Sequence, residues 1–170
     1  MSTIILTVLG SDRPGLTGAL AQAVLAAGGN WLESHLTRLG GTYVGSVLVG
    51  IADTDLPVLR EAVSGIDAAL KVELVSAGHA AASGTPLTLN LVGQDRAGIV
   101  HEVSAALAAL HVNIEELDSD IEATAWSGAP LFKARLSLLL PEGVTPAAVQ
   151  DALEGVSGEI MVDLTLPIRR

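Results

Sequence analysis

The chain has 170 residues and a formal net charge of −10, with 49% hydrophobic residues but only 16% charged ones. A chain of this composition can bury a core and is not expected to be disordered, and its length suits one domain or two small ones. The acidic balance and the nine scattered Lys and Arg exclude a basic surface of the kind that binds nucleic acid. The absence of cysteine excludes disulfides, thiolate metal ligands and cysteine nucleophiles.

The hydropathy pattern favours a cytoplasmic protein. Asp12 and Arg13 interrupt the first apolar run, and no basic segment precedes that run, so it does not have the pattern of a secretory signal. No apolar run approaches the roughly 18 residues that a membrane helix needs. We therefore expect a cytoplasmic protein that does not contact the membrane.

The first half of the chain predicts the order strand, helix, strand, strand, helix, strand. A nearly continuous apolar run over 3–9 is typical of a covered strand. Apolar residues then recur at helical spacing over 16–27, and Gly28-Gly29 is expected to end that helix. Residues 30–39 and 42–51, separated by Gly40-Gly41, predict a β-hairpin.

The second helix of this half is predicted from the spacing of Leu56, Leu59, Val63 and Ile66. Residues 53–55, which are Asp, Thr and Asp, are available to cap its start. The apolar alternation over 70–76 predicts the last strand of the unit.

The second half repeats this order after a segment of small residues without periodicity. We expect one domain over 1–77, a linker over 78–85 and a second domain over 86–170. The repeat comprises a strand at 87–92, a helix whose apolar face runs from Ile99 to Leu110, a hairpin of 113–122 with 130–140, a helix and a closing strand over 159–167. Thr145-Pro146 is expected to supply the N-cap and first turn of that last helix.

This order predicts an α+β protein of two ferredoxin-like βαββαβ units. Right-handed crossovers place both helices of a unit on one face of an antiparallel sheet, and the first and third strands of each unit should be central. The other face of each sheet is left open, and a unit of this size is marginal alone, so pairing of units is expected.

Two hexapeptides carry the candidate site: "GSDRPG" at 10–15 and "GQDRAG" at 93–98. Each connects the first strand of its unit to the first helix, where the helix presents unpaired N–H groups and the positive end of its dipole. Gly15 and Gly98 allow a ligand to approach the backbone closely. Arg13 and Arg96 offer a fork of donors suited to a carboxylate.

The neighbouring polar residues suit the other end of a small zwitterion. Asp12 and Asp95 could meet an ammonium group or simply cap the helix. Asn30 and Asn113 open the second strand of each unit, and we expect them beside the loop. The alternative is equally open at this point: an Asp-Arg-x-Gly sequence is also a good strand-to-helix turn with nothing bound.

Each copy resembles an ACT domain, on "SDRPGL" with Asn30 and on "QDRAGI" with Asn113. Two copies without an attached enzyme are most similar to stand-alone tandem ACT regulators of the glycine-cleavage-repressor type. The resemblance implies the βαββαβ fold, paired domains, and amino-acid effectors bound near the loop at an interface between ACT domains. The ligand-binding residues that it implies are Asp12, Arg13, Pro14, Gly15, Leu16 and Asn30 in the first copy, with Asp95, Arg96, Ala97, Gly98, Ile99 and Asn113 in the second.

The first copy is expected to hold the better site. Ala97 replaces Pro14 in the second copy, and the bulkier His101-Glu102 replaces Gly18-Ala19. The resemblance implies a regulator without catalytic activity, cofactor or metal, which acts on a transcription factor or metabolic enzyme as a homodimer. The alternative is a small hydrolase similar to the acylphosphatases, which are also ferredoxin-like, with Arg13 and Asn30 in the catalytic positions.

Two other features admit simpler interpretations. His101-Glu102 resembles the start of a zinc-protease motif, but Ala105 stands where that motif needs histidine, so we predict a surface histidine. In the acidic stretch 115–122 the residues Glu116, Asp118, Asp120 and Glu122 alternate and share one strand face. We expect them to pair with Lys133 and Arg135 across the hairpin, with a cation site or a partner-docking face as the alternatives.

Overall fold

The chain divides into two compact units, Met1–Ala80 and Ala81–Arg170. The computed structural model describes residues 2–67, 69–78, 83–123, 130–156 and 160–165. Residues 79–82 of the expected linker lie outside the described residues, as do 159, 166 and 167 of the expected closing strand.

The first unit is an antiparallel sheet of four strands in the order β2-β3-β1-β4. Its elements are β1 (Ser2–Ser11), α1 (Leu16–Ala26), β2 (Asn30–Leu39), β3 (Thr42–Ile51), α2 (Leu56–Ser64) and β4 (Leu70–Ser76). The predicted order of elements and the predicted hairpin are confirmed. The first and third strands are central, as expected.

The second unit repeats this topology with the strand order β6-β7-β5-β8. Its elements are β5 (Thr85–Gln94), α3 (Ile99–Ala109), β6 (Asn113–Glu122), β7 (Leu131–Leu140), α4 (Pro146–Glu154) and β8 (Met161–Thr165). β5 is longer at both ends than the predicted strand over 87–92, because its ladder with β7 extends over the whole of Thr85–Gln94. The two-unit ferredoxin-like fold predicted from the sequence is therefore confirmed.

The core of each unit lies between the sheet and its two helices. In the first unit Leu6 of β1, Leu20 of α1 and Leu59 of α2 are fully buried. In the second unit Leu89 of β5, Leu107 of α3 and Leu153 of α4 are also fully buried. Burying a side chain of this size stabilises a fold by roughly 1.5–3 kcal/mol, so these packed faces hold the helices against the sheet.

The helix starts differ in how they are capped. Thr145 is the N-cap of α4, and its hydroxyl accepts a hydrogen bond from the N–H of Ala148 at 3.2 Å, as predicted. The expectation that Asp53, Thr54 or Asp55 caps α2 is wrong. Residues Asp53–Asp55 form a 3-10 turn that leads into α2, and no side chain caps the helix. A capping residue is normally extended, whereas the backbone of Asp55 is already close to helical, with φ −100° and ψ −4°.

Candidate functional site

The loop between β1 and α1 leaves the start of α1 accessible. Gly15 is the N-cap and lies in the left-handed region, with φ 92° and ψ −4°, and no side chain among the described residues caps the helix. A Cβ placed on Gly15 would meet no atom of the described residues within 4 Å. The first N–H groups of a helix have no partner within the helix and carry the positive end of its dipole. This loop therefore offers donors to an anionic group, and the space beside the exposed Gly15 is open.

Both charged residues of the first loop contact oppositely charged groups of the same unit. The Nε of Arg13 donates to Oδ2 of Asp67 at 2.7 Å. Asp12 pairs with Arg38 at 3.1 Å between Oδ2 and Nε. The expectation that Asp12 caps α1 is therefore wrong, because its carboxylate turns towards β2 instead of back towards the helix.

Asp67, in the segment between α2 and β4, is held as a carboxylate. Its Oδ1 accepts a hydrogen bond from the N–H of Ala69 at 2.9 Å. This backbone bond, followed by the hydrogen bond from Arg13, lowers the pKa of Asp67 below its usual value of 3.8. Arg13 thus has an internal carboxylate partner before any ligand binds. No pattern in the sequence distinguishes that partner among the 19 acidic residues of the chain.

Two hydroxyl groups lie beside the first loop and were not predicted from the sequence. Thr17 stands in the first turn of α1, and its Oγ1 is 2.6 Å from the hydroxyl of Tyr43 on β3. Tyr43 pairs with Gly10, next to the loop, and is largely buried. The available signal was that Tyr43 is the single tyrosine of the chain. These hydroxyls add polar groups to the same end of the unit.

The corresponding loop of the second unit has the same backbone but different contacts. Gly98 is the N-cap of α3, with φ 93° and ψ −4°, and no side chain caps the helix, so the capping role considered for Asp95 is also wrong. Arg96 donates from Nη1 to Oε1 of Glu102 at 2.7 Å and from Nη2 to Oε2. The hydrogen bonds from Arg96 lower the pKa of Glu102 below its usual value of 4.5. Arg96 therefore forms a bidentate pair with a carboxylate on the helix that follows it.

Asn30 does not lie beside the loop of its own unit. It pairs with Gly50, which pairs with Thr3 near the start of β1, whereas the loop follows Ser11 at the other end of that strand. The eight-residue separation along β1 corresponds to about 26 Å at roughly 3.3 Å per residue. The expectation of proximity is therefore wrong within a unit, because α1 returns the chain to the end at which β1 began.

Asn113 is placed in the same way in the second unit. It pairs with Leu139, which pairs with Pro86 at the start of β5, while the loop follows Gln94. The side-chain amide of Asn113 also donates to Glu115. Neither asparagine therefore shares a site with the loop of its own unit, and the arginine–asparagine pair of the hydrolase alternative is not assembled within the first unit.

The acidic stretch on β6 forms cross-strand contacts of the expected kind. Lys133 pairs with Glu122, and this contact raises the pKa of Lys133 above its usual value of 10.5. Asp118 lies opposite Arg135 in the ladder. Among the described residues no group of three or more His, Asp or Glu side chains is arranged to hold a metal ion. The helices within the described ranges are all too short or too polar to cross a membrane.

Comparison with known proteins identifies the module. Residues 2–76 match the family model of the ACT domain. No curated protein matches the chain. A solved structure of an unknown protein from Galdieria sulphuraria is similar, with 26% identity and a TM-score of 0.86, and the match covers 98% of this chain and 99% of that one.

A second solved structure, named as a candidate glycine cleavage system transcriptional repressor, has the same fold. Its identity to this chain is 14%, its TM-score is 0.73, and the match covers 98% of both chains. The similarity extends over both units, as the resemblance noted in the sequence implied. Residues 2–76 of the first unit thus match the ACT domain family, and the second unit repeats the same ferredoxin-like fold.

Proposed function

We propose that this chain is an amino-acid-responsive regulatory protein of tandem ACT type, without catalytic activity of its own. The observation that carries the proposal is the uncapped start of α1 behind the unobstructed Gly15, in a unit that matches the ACT domain. The solved structure that is named as a candidate glycine cleavage system transcriptional repressor has the same fold. We place the chain in the cytoplasm, where free amino acids report the metabolic state.

The effector's carboxylate lies over the start of α1 in this proposal. Gly15, Leu16 and Thr17 supply backbone N–H groups there, whereas Pro14 has none to give. The end of a helix carries about half a positive charge, which suits a carboxylate without requiring Arg13, already bonded to Asp67. The adjacent hydroxyls of Thr17 and Tyr43 favour an effector with a polar group beyond its carboxylate.

A second copy of the chain supplies the remaining contact. Because Asn30 lies about 26 Å from the loop of its own unit at roughly 3.3 Å per strand residue, one small effector cannot touch both. We assign the contact to Asn30 of a second copy in a homodimer. Asn113 is less suited, since its amide already donates to Glu115.

The regulatory output passes through another protein. A net charge of −10 opposes direct binding to the phosphates of nucleic acid. We therefore propose that the effector changes how this protein contacts a transcription factor or a metabolic enzyme.

A thermal-shift screen of the full chain against the common amino acids tests effector binding. A ligand that binds only the folded state stabilises it by about 2.7 kcal/mol at a hundredfold excess over its Kd. The matched control for any active amino acid is its amide, which lacks the carboxylate and should give no shift. If no amino acid raises the melting temperature, or if the amide is equally active, the proposed site is wrong.

Mixing two inactive variants tests the shared site. Gly15→Val closes the loop and Asn30→Ala removes the distal contact, so each homodimer should bind weakly. A mixed dimer retains one intact loop facing one intact asparagine, and random exchange makes half of the dimers mixed, so mixing should restore about a quarter of the sites. Failure of the mixture to restore binding, with both variants folded and exchanging subunits, would exclude Asn30 of a second copy.

A further inference from the structure

The loop of the second unit already holds a carboxylate. Glu102 stands in the first turn of α3, and both of its oxygens accept hydrogen bonds from Arg96. Its Oε1 would lie 3.8 Å from a Cβ placed on Gly98. The Glu102 side chain thus binds the guanidinium of Arg96 and also lies beside Gly98. The arginine and the glycine are the two features that suit this loop to an external carboxylate.

The loop of the first unit lacks such a group. The two hexapeptides, which begin at Gly10 and Gly93, are 83 residues apart. At the same offset, the residue that corresponds to Glu102 is Ala19. Arg13 does pair with a carboxylate, but Asp67 belongs to the segment between α2 and β4 and not to the helix that the loop precedes. Within the part of the chain that the structure describes, the space over Gly15 stays open, because a Cβ added there would have no atom within 4 Å.

We propose that Glu102 closes the second loop, so that an effector carboxylate binds at the loop of the first unit only. Glu102 acts as an internal substitute for the ligand's carboxylate. This inference rests on the proposed function of the first loop and assigns the chain one effector loop where its duplicated sequence suggests two. The lowered pKa of Glu102 agrees with it, because the group stays ionised and bound to Arg96 near neutral pH.

The test removes the charge of Glu102 and probes both loops with acetate. In ¹⁵N-labelled full chain, acetate should shift the amide signals of Leu16 and Thr17 in wild type while leaving Ile99 unchanged. In Glu102→Gln, Ile99 should respond as well. Glu142→Gln is the matched control: it removes the same charge from an exposed position near Leu140, at the end of the unit remote from the loop, and should behave like wild type.

A second readout does not depend on binding. Phenylglyoxal modifies accessible guanidinium groups, and mass spectrometry of the peptides gives the rate at Arg96. That rate should rise two- to fivefold in Glu102→Gln, roughly the range expected for release from an ion pair that is partly exposed, and should not change in Glu142→Gln.

The outcomes for Ile99 and Arg96 test the closure of the second loop by Glu102. An acetate response of Ile99 in wild type, no response of Ile99 in Glu102→Gln while Leu16 and Thr17 do respond, or an unchanged rate at Arg96 would overturn the closure. Failure of the proposed function is distinguishable, because Leu16 and Thr17 would then ignore acetate in every variant while Arg96 still became more reactive in Glu102→Gln.

Discussion

Replacing Gly15 by alanine tests the geometry of the effector loop through stability. Gly15 has φ 92°, a region that costs a residue with a Cβ about 1–2 kcal/mol. The added methyl group meets no atom of the described ranges within 4 Å, so no clash with them contributes to the cost. Gly15→Ala should therefore destabilise the first unit by about 1–2 kcal/mol through the backbone alone.

Gly18→Ala is the matched control, three residues further along the chain. Its Cβ also enters open space, but Gly18 lies inside α1, where alanine is favoured over glycine by roughly 0.5–1 kcal/mol. The same chemical change should thus have opposite signs at the two positions.

Differential scanning calorimetry measures both effects. For a unit of about 80 residues, 1 kcal/mol moves the Tm by roughly 4–8 °C. Gly15→Ala should lower the Tm of the first unit by roughly 4–16 °C, and Gly18→Ala should raise it by roughly 2–8 °C. If Gly15→Ala is neutral or stabilising while Gly18→Ala behaves as expected, Gly15 is not in the left-handed conformation and the open loop is described wrongly.

Three further changes probe contacts around the loop and in the second unit. The pKa of Asp67 is lowered in the folded state, so its stabilising effect is present above the usual value of 3.8 and is lost as the pH falls through the folded-state pKa. In urea titrations at a series of pH values, the difference in unfolding free energy between wild type and Asp67→Asn should shrink below that pH. A difference that stays constant would contradict the lowered pKa of Asp67. Tyr43→Phe removes the hydroxyl contact with Thr17 and should cost about 0.5–1.5 kcal/mol in urea unfolding; no loss would mean that this bond is not formed. Thr145→Ala removes the cap of α4 and should cost about 1 kcal/mol in the second unit, whereas Thr165→Ala, on the exposed end of β8, should be nearly neutral.

The fold was predictable because local patterns and topology agree. Alternation on β7 and helical spacing on α1 mark the buried faces directly, and the Gly-Gly pair at 40–41 marks the hairpin. Once the order of elements was known, the handedness of the crossovers fixed the two central strands.

The site was predictable only as a loop. The hexapeptide marks the turn and the helix start, but the partners of its arginines depend on tertiary placement: Asp67 lies 54 residues from Arg13, whereas Glu102 lies six residues from Arg96. Two closely similar short sequences therefore acquired different electrostatic surroundings.

The misplacement of Asn30 has a topological cause. Asn30 opens the second strand of its unit, and it was expected beside the loop that precedes α1. An 11-residue helix spans about 16 Å at 1.5 Å per residue, enough to carry the chain back along β1. Tracing the direction of the crossover would have placed Asn30 at the far end from the sequence alone.

Isothermal titration calorimetry of an effector found in the thermal screen tests the central claim most directly. Wild type should bind, Gly98→Val should bind with unchanged affinity, and folded Gly15→Val should bind only weakly, because a β-branched side chain closes the approach to α1. Equal affinity in wild type and Gly15→Val would mean that the loop of the first unit is a turn and not an effector site.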